Sequence, residues 1–143
     1  MNVQSILGSK GRTVATVTRD ATLADVAAQL RDLGVGALVV SDDGVHIVGI
    51  VSERDVVRAL AAHGAGALGR EVSSVMSTDV VTCGADDAVD SLMASMTDRR
   101  IRHLPVVDGD RLDGIISIGD VVKARLGELE TERQALVDYI HGH

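Results

Sequence analysis

The sequence predicts a mixed α/β protein of the α+β type, in which a β-α-β-β-α unit occurs twice and a further helix follows at the C-terminal end. Residues 14–60 align with residues 80–125 after one deletion in the second hairpin turn. Short aliphatic runs of strand length alternate with segments whose apolar residues recur at helical spacing. The heptapeptide GIVSERD, which begins at Gly49, returns as GIISIGD from Gly114. We call the two units copy one and copy two.

The first half of each copy reads as a strand followed by a helix. Residues 14–17 and 80–83 are short β-prone runs. Thr22 and Asp25 have the spacing of a capping box at the start of a helix. The apolar faces of the two helices occupy matching positions: Leu23, Val26, Ala27 and Leu30 in copy one, and Val89, Leu92, Met93 and Met96 in copy two.

The second half of each copy reads as a β-hairpin followed by a helix. Residues 37–40 and 104–107 are apolar strands, and Asp- and Gly-rich turns follow them. The chain returns through residues 47–51 and 112–116, and a helix begins at Ser52 or Ser117. We expect residues 60–69, which are rich in Gly and Ala, to form a connector.

The predicted boundaries are 1–66 for repeat one, 67–127 for repeat two and 128–143 for a helical tail. A short helix containing Val3, Ile6 and Leu7 is echoed by Val72, Val75 and Met76 before copy two. A separate helix is predicted over residues 128–140. Its apolar stripe is narrow, which leaves packing on its own domain or on a second chain equally open. Because one copy buries little surface by itself, we expect the copies to pack sheet to sheet about a pseudo-two-fold axis.

Composition excludes several classes of partner. The net charge of −7 opposes sequence-independent binding to nucleic acid or anionic lipid. Tyr139 is the single aromatic residue, so no platform for base stacking exists. Cys83 is the single cysteine, which fits a reducing compartment. With no apolar run of membrane-spanning or leader length, the expectation is a cytoplasmic protein without a membrane or nucleic-acid partner.

The repeated Ser-x-x-Asp segment supports two interpretations. As a capping box, Ser52 with Asp55 and Ser117 with Asp120 each stabilise a helix start by about 1 kcal/mol and bind nothing. As a ligand site, the helix N-terminus favours a phosphate through its amides and dipole, while the Asp carboxylate accepts hydrogen bonds from the vicinal hydroxyls of a ribose. A glycine at each strand start would allow close approach of the backbone.

These features resemble a family. The segments GVGALVVSDDGVHIVGIVSERD and IRHLPVVDGDRLDGIISIGD, residues 34–55 and 101–120, look like the ends of two cystathionine-β-synthase (CBS) domains, and the resemblance covers residues 1 to about 126. Such a stand-alone tandem pair, or Bateman module, implies a non-catalytic sensor. The implied ligand is an adenosine compound such as AMP, ADP, ATP, NAD or S-adenosylmethionine, held between the copies. The resemblance also implies a flat homodimer.

The resemblance carries the family's site onto particular residues of this chain. The groups implied to hold ribose and phosphate are Ser52, Arg54, Asp55, Ser117 and Asp120. The residues implied to line the base are Thr16, Val17, Ala37 and Leu38 for copy one, and Thr82, Cys83, His103, Leu104 and Pro105 for copy two. We further expect Arg54, Arg100, Arg102 and His103 to neutralise phosphate across a shared cleft. For the arginines that end the second helix, solvation at a helix C-terminus is the alternative.

Catalysis is not expected, because no reactive group with a partner can be assembled. Cys83 beside His103 is the one conceivable nucleophile, and a lone Cys on an apolar strand is usually a small core residue. No metal site or catalytic cofactor is predicted. The alternative to a nucleotide sensor is a dimeric scaffold that binds an unidentified target protein and uses its Ser-x-x-Asp boxes only as caps.

Overall fold

The structure is a computed structural model that describes residues 1–142, so that His143, the last residue of the predicted tail, lies outside the described residues. Helix α1 spans Val3–Lys10. Copy one then contains β1 (Thr16–Val17), α2 (Leu23–Leu33), β2 (Ala37–Val40), β3 (Gly49–Ser52) and α3 (Glu53–His63). Copy two contains α4 (Val89–Arg99), β4 (His103–Asp108), β5 (Arg111–Ser117) and the start of α5 (Ile118–Ile140). The mixed fold with two related copies is confirmed.

Capping boxes start three of these helices. Thr22 with Asp25, Ser52 with Asp55 and Ser117 with Asp120 each form both reciprocal hydrogen bonds. Each box satisfies two of the amide groups that a helix N-terminus leaves without a partner. The capping interpretation of the repeated motif is therefore correct as a description of the fold.

The strands form one sheet in each copy. In copy one, β1 pairs in parallel with β2, and β2 pairs antiparallel with β3. In copy two, β4 and β5 form an antiparallel hairpin with a register shift after Val106. The strand predicted over residues 80–83 is wrong in extent, because only Cys83 reaches β4, as an isolated parallel bridge to Val106. The preceding residues instead run along a cleft between the copies.

Two helical segments differ from the sequence prediction. Residues 60–63 belong to α3, and a 3₁₀ helix, Gly64–Gly69, replaces the expected open connector. The separate tail helix is also wrong, since α5 is one helix of 23 residues. Two ion pairs at i,i+3 spacing favour its continuation: Arg125 with Glu128 spans Gly127, and Glu130 with Arg133 joins the turn that follows.

The segments that precede the two copies cross over. Helix α1 buries Val3, Ile6 and Leu7 in the core of copy two, together with Leu104, Ile116 and other residues of that copy. The segment before copy two does the reverse: Val72 is buried in the core of copy one, and Val75 and Met76 pack against it. The segment that precedes copy one therefore completes the core of copy two, and the segment that precedes copy two completes the core of copy one.

The copies also meet directly. The Leu112 amide donates to the Val45 carbonyl oxygen at 2.7 Å, which joins the two hairpins. All four residues of β2 are buried, as expected for a strand covered on both faces. The final turns of α5, in contrast, leave the copies, since Leu136, Tyr139 and Ile140 are 63%, 83% and 77% exposed. Of the two packings left open for the apolar stripe, packing on its own domain is thus not observed.

Candidate ligand-binding site

A cleft of about 660 Å³ lies between the two copies. Copy one contributes the end of β3 and the first turns of α3, together with Gly36 and Ala37 at the start of β2. The facing wall consists of residues 79–81 and 99–103. The cleft therefore opens at the helix N-terminus that Ser52 caps.

Asp55 lines the cleft and uses one of its two carboxylate oxygens for the fold. Its Oδ2 accepts from the Ser52 amide at 2.8 Å and from the Ser52 hydroxyl at 3.1 Å. No donor within residues 1–142 contacts Oδ1. Because the cap occupies a single oxygen, capping and ligand binding are compatible at this residue.

The cleft is locally basic in an acidic chain. Its lining includes the arginines at positions 54, 58, 99, 100 and 102, against the carboxylates of Glu53, Asp55 and Asp79. The lining thus contains five positive and three negative side chains, whereas the net charge of the whole chain is −7. The Arg54 side chain spans the copies by donating from Nη1 to the Arg100 carbonyl oxygen at 3.1 Å. Such a lining favours an anionic ligand.

His103 differs from the cation that the sequence predicts. Burial first, and then the neighbouring Arg102, hold the pKa of His103 below its ordinary value, despite the opposing effect of Glu53. The ring is therefore neutral near pH 7 and acts as a polar lining group. It packs against copy one so closely that a β-carbon on Gly36 would lie 3.0 Å from its Cε1 atom.

The second Ser-x-x-Asp box is occupied by a side chain of the protein. Lys10, the last residue of α1, donates from Nζ to Asp120 Oδ2 at 2.6 Å and to the Ile115 carbonyl oxygen at 2.9 Å. Burial alone would raise the pKa of Asp120, but the hydrogen bonds from Lys10 and from Ser117 bring it below its ordinary value. Ser117 and Asp120 do not line the cleft described above.

The structure brings about half of the sequence-predicted site residues to the cleft. Those that line it are Ala37, Ser52, Arg54, Asp55, Arg100, Arg102 and His103. Thr82 lines a second, smaller cleft of about 390 Å³ near the hairpin turns, and Thr16 lies half-buried on β1.

The remaining predicted base-lining residues are placed elsewhere. Four of them belong to the hydrophobic cores, namely Val17, Leu38, Cys83 and Leu104. Pro105 is buried within β4. Side chains alternate between the faces of a strand, so Ala37 and His103 face the cleft while the next residue on each strand faces the core. The prediction took consecutive residues where alternate ones were needed.

Cys83 is a core residue and not a nucleophile. Its side chain is buried, and burial, followed by the charge of Asp87, raises the pKa of the thiol to about 11. The Sγ atom lies 3.8 Å from the Pro105 carbonyl oxygen. A thiol with this pKa stays protonated at neutral pH, where only the thiolate would react.

The sequence analysis missed the wall formed by the segment between the copies. Ser77, Asp79, Val80 and Val81 line the cleft, and the cleft face of α3 includes Val57 and Arg58. The matching apolar spacing before each copy was the available signal, since it indicates that both preceding segments have equivalent positions in the fold.

The sequence profile of the CBS domain matches this chain twice, over residues 11–62 and 72–127. The chain belongs to the CBS domain family. The two matched segments correspond to the two copies, and the resemblance inferred from the repeated motif is confirmed. This CBS pair contains the cleft between its two members.

Relatives with similar sequences include proteins of a plant and a bacterium. The mitochondrial CBS domain-containing protein CBSX3 of Arabidopsis thaliana is 34% identical over 98% of this chain and 72% of its own length. The CBS domain-containing protein YhcV of Bacillus subtilis is 31% identical over 90% of this chain and 89% of its own.

Solved CBS structures share the fold. A CBS-domain-containing protein from Agrobacterium tumefaciens superposes with a TM-score of 0.84 at 46% identity, covering 87% of this chain and 92% of that one. The CBS pair of protein MJ0100, solved in complex with 5′-methylthioadenosine and S-adenosyl-L-methionine, has a TM-score of 0.79 at 25% identity. That likeness covers 90% of this chain and 98% of the MJ0100 chain.

Across residues 1–142, the helices are all too short or too polar to cross a membrane.

Proposed function

We propose that this CBS pair is a non-catalytic regulatory module that binds an adenosine nucleotide, AMP, ADP, ATP or NAD, in the cleft between its copies. The observation that carries the proposal is the meeting of the Asp55 carboxylate with five arginines in one cleft of about 660 Å³. The complex of MJ0100 with two adenosine-containing ligands supports this class of ligand. A cytoplasmic location remains the expectation from the sequence.

In the proposed complex, Asp55 recognises the ribose. Vicinal hydroxyls donate to its Oδ1 atom, while Oδ2 continues to accept from Ser52. The base lies between aliphatic side chains of both walls, among them Val57, Val80 and Ile101, because the chain offers no aromatic ring there. Its polar edge would bond to backbone groups and to the neutral His103 ring.

We expect the hydrogen bonds to the phosphate to come from arginine side chains more than from the amides of the helix N-terminus. Three amides at the start of α3 already have acceptors within the protein: Ser52 donates to Asp55, Glu53 to the Gly36 carbonyl oxygen, and Asp55 to the Ser52 hydroxyl. The guanidinium groups of Arg54, Arg100 and Arg102 are therefore the donors we propose for the phosphate. Arginine suits this role because its planar group can donate two parallel hydrogen bonds.

Calorimetric titration of AMP and ATP into the wild type and Asp55→Ala tests this function. A hydrogen bond to a charged group contributes about 1.5–3 kcal/mol. We therefore expect Asp55→Ala to weaken binding by roughly ten- to a hundred-fold, since 1.4 kcal/mol corresponds to a factor of ten.

Asp25→Ala is the matched control for this titration. Asp25 occupies the same position of a capping box on α2 but does not line the cleft. Both variants should lose about 1 kcal/mol of folding free energy, and only Asp55→Ala should lose affinity. Equal affinities in the two variants, or no heat from any adenosine compound, would overturn the proposal.

The alternative function is a dimeric interaction scaffold. The apolar side chains of Leu136, Tyr139 and Ile140, exposed at the end of α5, favour it. We include a homodimer in the proposal for this reason, with an unidentified target protein as the reader of the signal. A ligand can signal by this route only if it binds one arrangement of the copies more tightly than another. A scaffold without nucleotide affinity is the outcome that remains if the titration gives no heat.

A further inference from the structure

The two Ser-x-x-Asp boxes have the same backbone geometry. In both, the Asp Oδ2 atom accepts from the Ser amide, at 2.8 Å for Asp55 and 2.9 Å for Asp120. In both, the first helical amide donates to the carbonyl oxygen of the residue just before the first strand of the hairpin, Glu53 to Gly36 and Ile118 to Arg102. A ligand that recognised only these elements would find two sites per chain.

The charge next to each carboxylate is different. Lys10 forms an ion pair with Asp120 and also donates to the Ile115 carbonyl oxygen, so two acceptors hold its ammonium group. At Asp55, no cation lies within ion-pair distance among residues 1–142. The ammonium group thus binds Oδ2, the oxygen that also accepts from the Ser117 amide, and it lies beside the carboxylate that the hydroxyls of a second ribose would have to approach.

The crossover explains why only one carboxylate is paired. Leu7 and Met76 lie against the equivalent glycines Gly114 and Gly49, and three residues later the chain has Lys10 in one case and Asp79 in the other. Asp79 lines the open cleft and, being acidic, offers the Asp55 carboxylate no ion pair. A reversal of charge between equivalent positions therefore accounts for the difference in ion pairing between the two boxes.

The position of Lys10 is fixed by the fold. It is the last residue of α1, whose Val3, Ile6 and Leu7 are buried in the core of copy two. The side chains of the pair are 33% and 23% exposed, so a bound ribose would have to displace a partly buried ion pair.

We propose that Lys10 closes the Asp120 site, so that each chain binds one nucleotide, at Asp55 only. This inference rests on the proposed function and adds its stoichiometry and the residue that sets it. Removal of the ammonium group exposes the second carboxylate to a ribose and creates a second binding site.

Calorimetric titration with AMP at pH 7 measures this stoichiometry. We expect one AMP per chain for the wild type and two for Lys10→Met, with the second site at least ten-fold tighter than any residual second binding to the wild type. The double variant Lys10→Met/Asp120→Ala should again bind one AMP per chain. Lys10→Gln provides a second test should Lys10→Met not fold.

Lys123→Met is the matched control. Lys123 is the only other lysine, it is exposed, and its loss changes the net charge equally. We expect it to bind one AMP per chain.

Two AMP per chain in the wild type, or one in both Lys10 variants while Asp55→Ala weakens binding as expected, would overturn this inference and leave the proposed function standing. Weaker binding in the Lys10 variants would also overturn it, since Lys10 would then be a phosphate ligand. No heat in any variant would overturn both proposals.

Discussion

At the scale of single residues, one glycine in each sheet lies where the segment that precedes the other copy packs against that sheet. Gly49 and Gly114 occupy matching positions in the two copies, and in the ligand-site interpretation of the sequence both allow close approach of the backbone. In the structure the neighbours are protein atoms. A β-carbon on Gly49 would lie 2.6 Å from Met76 Sδ and 2.9 Å from the Ser77 carbonyl oxygen, and one on Gly114 would lie 2.7 Å from Leu7 Cδ2. The glycines are thus required by the crossover.

We expect Gly49→Ala to lower the free energy of unfolding by about 1–3 kcal/mol, as overpacking typically does. The Ser77 backbone cannot easily move away, because it exchanges two hydrogen bonds of 2.9 Å with Ile50. Gly114→Ala should cost less, since only the flexible end of Leu7 has to shift. Urea unfolding measures both. Gly84→Ala, where no atom lies within 4 Å of the added carbon, is the control, and an equal loss in all three would contradict the explanation.

Ser52, Arg54 and Asp55 line the cleft, because their motif fixes both the cap and its position at a strand end, and their binding roles stay predictions. The sequence analysis misplaced Leu38 and Leu104, although the alternation of strand side chains was available as a criterion. The pairing of Lys10 with Asp120 could not be predicted, because it depends on which copy receives α1. Repeat periodicity gives equivalent positions but not the partner of each segment.

At the scale of elements, helix α4 is capped at its C-terminal end by a residue with a strained backbone conformation, Arg100, which also lines the cleft. Arg100 adopts the left-handed conformation, with φ 54° and ψ 41°, and it is the only residue other than glycine with positive φ among residues 1–142. Gly34 has the same role at the end of α2, with φ 64° and ψ 35°. An arginine in this conformation costs about 1–2 kcal/mol relative to glycine. Backbone strain of this kind beside the cleft between the copies is the observation that makes the proposed binding role of Arg100 worth testing.

We expect Arg100→Gly to raise the free energy of unfolding by about 1 kcal/mol and to weaken AMP binding, because the strain and the guanidinium group are lost together. Arg100→Ala removes the side chain but keeps the positive φ, so it should weaken binding to a similar extent without the gain in stability. Thermal unfolding and titration on the same samples separate the two effects. If Arg100→Gly bound AMP as tightly as the wild type, Arg100 would be only a helix end.

The longer elements show what periodicity can and cannot resolve. Helix α2 and strand β2 follow the predicted pattern closely, since capping and apolar spacing agree there. The division of α5 into two helices failed because Gly127 destabilises a helix by no more than about 1 kcal/mol relative to Ala, and the ion pairs that span and follow it offset part of that cost.

At the scale of the whole molecule, charge is distributed unevenly. Five arginines gather in the cleft of a chain whose net charge is −7, so an anion would be attracted to this region in particular. Two histidines whose pKa values shift in opposite directions also make the stability of the fold depend on pH. Burial and Arg102 lower the pKa of His103, whereas the hydrogen bond to Asp43 raises the pKa of His46.

These shifts predict opposite pH dependences. The unfolded chain binds the His103 proton more tightly than the folded chain, so the stability from neutral His103 is complete above about pH 6.5 and is lost as the pH falls. For His46 the folded chain binds the proton more tightly, and its contribution is lost as the pH rises through the raised pKa. Urea unfolding between pH 5 and 8 should show less acid loss in His103→Gln. In His46→Gln the rise of stability with pH should be steeper; unchanged slopes in both would contradict the assignment.

The crossover has a consequence for how such a molecule can arise and be altered. Because α1 completes copy two and the segment containing Val72 completes copy one, neither copy is a whole folding unit. A gene fragment encoding one copy with its own leading segment could fill its core only by exchanging that segment with a second molecule. Tandem duplication thus converts an intermolecular exchange into an intramolecular one, and thereafter each copy is free to change its charges at equivalent positions independently.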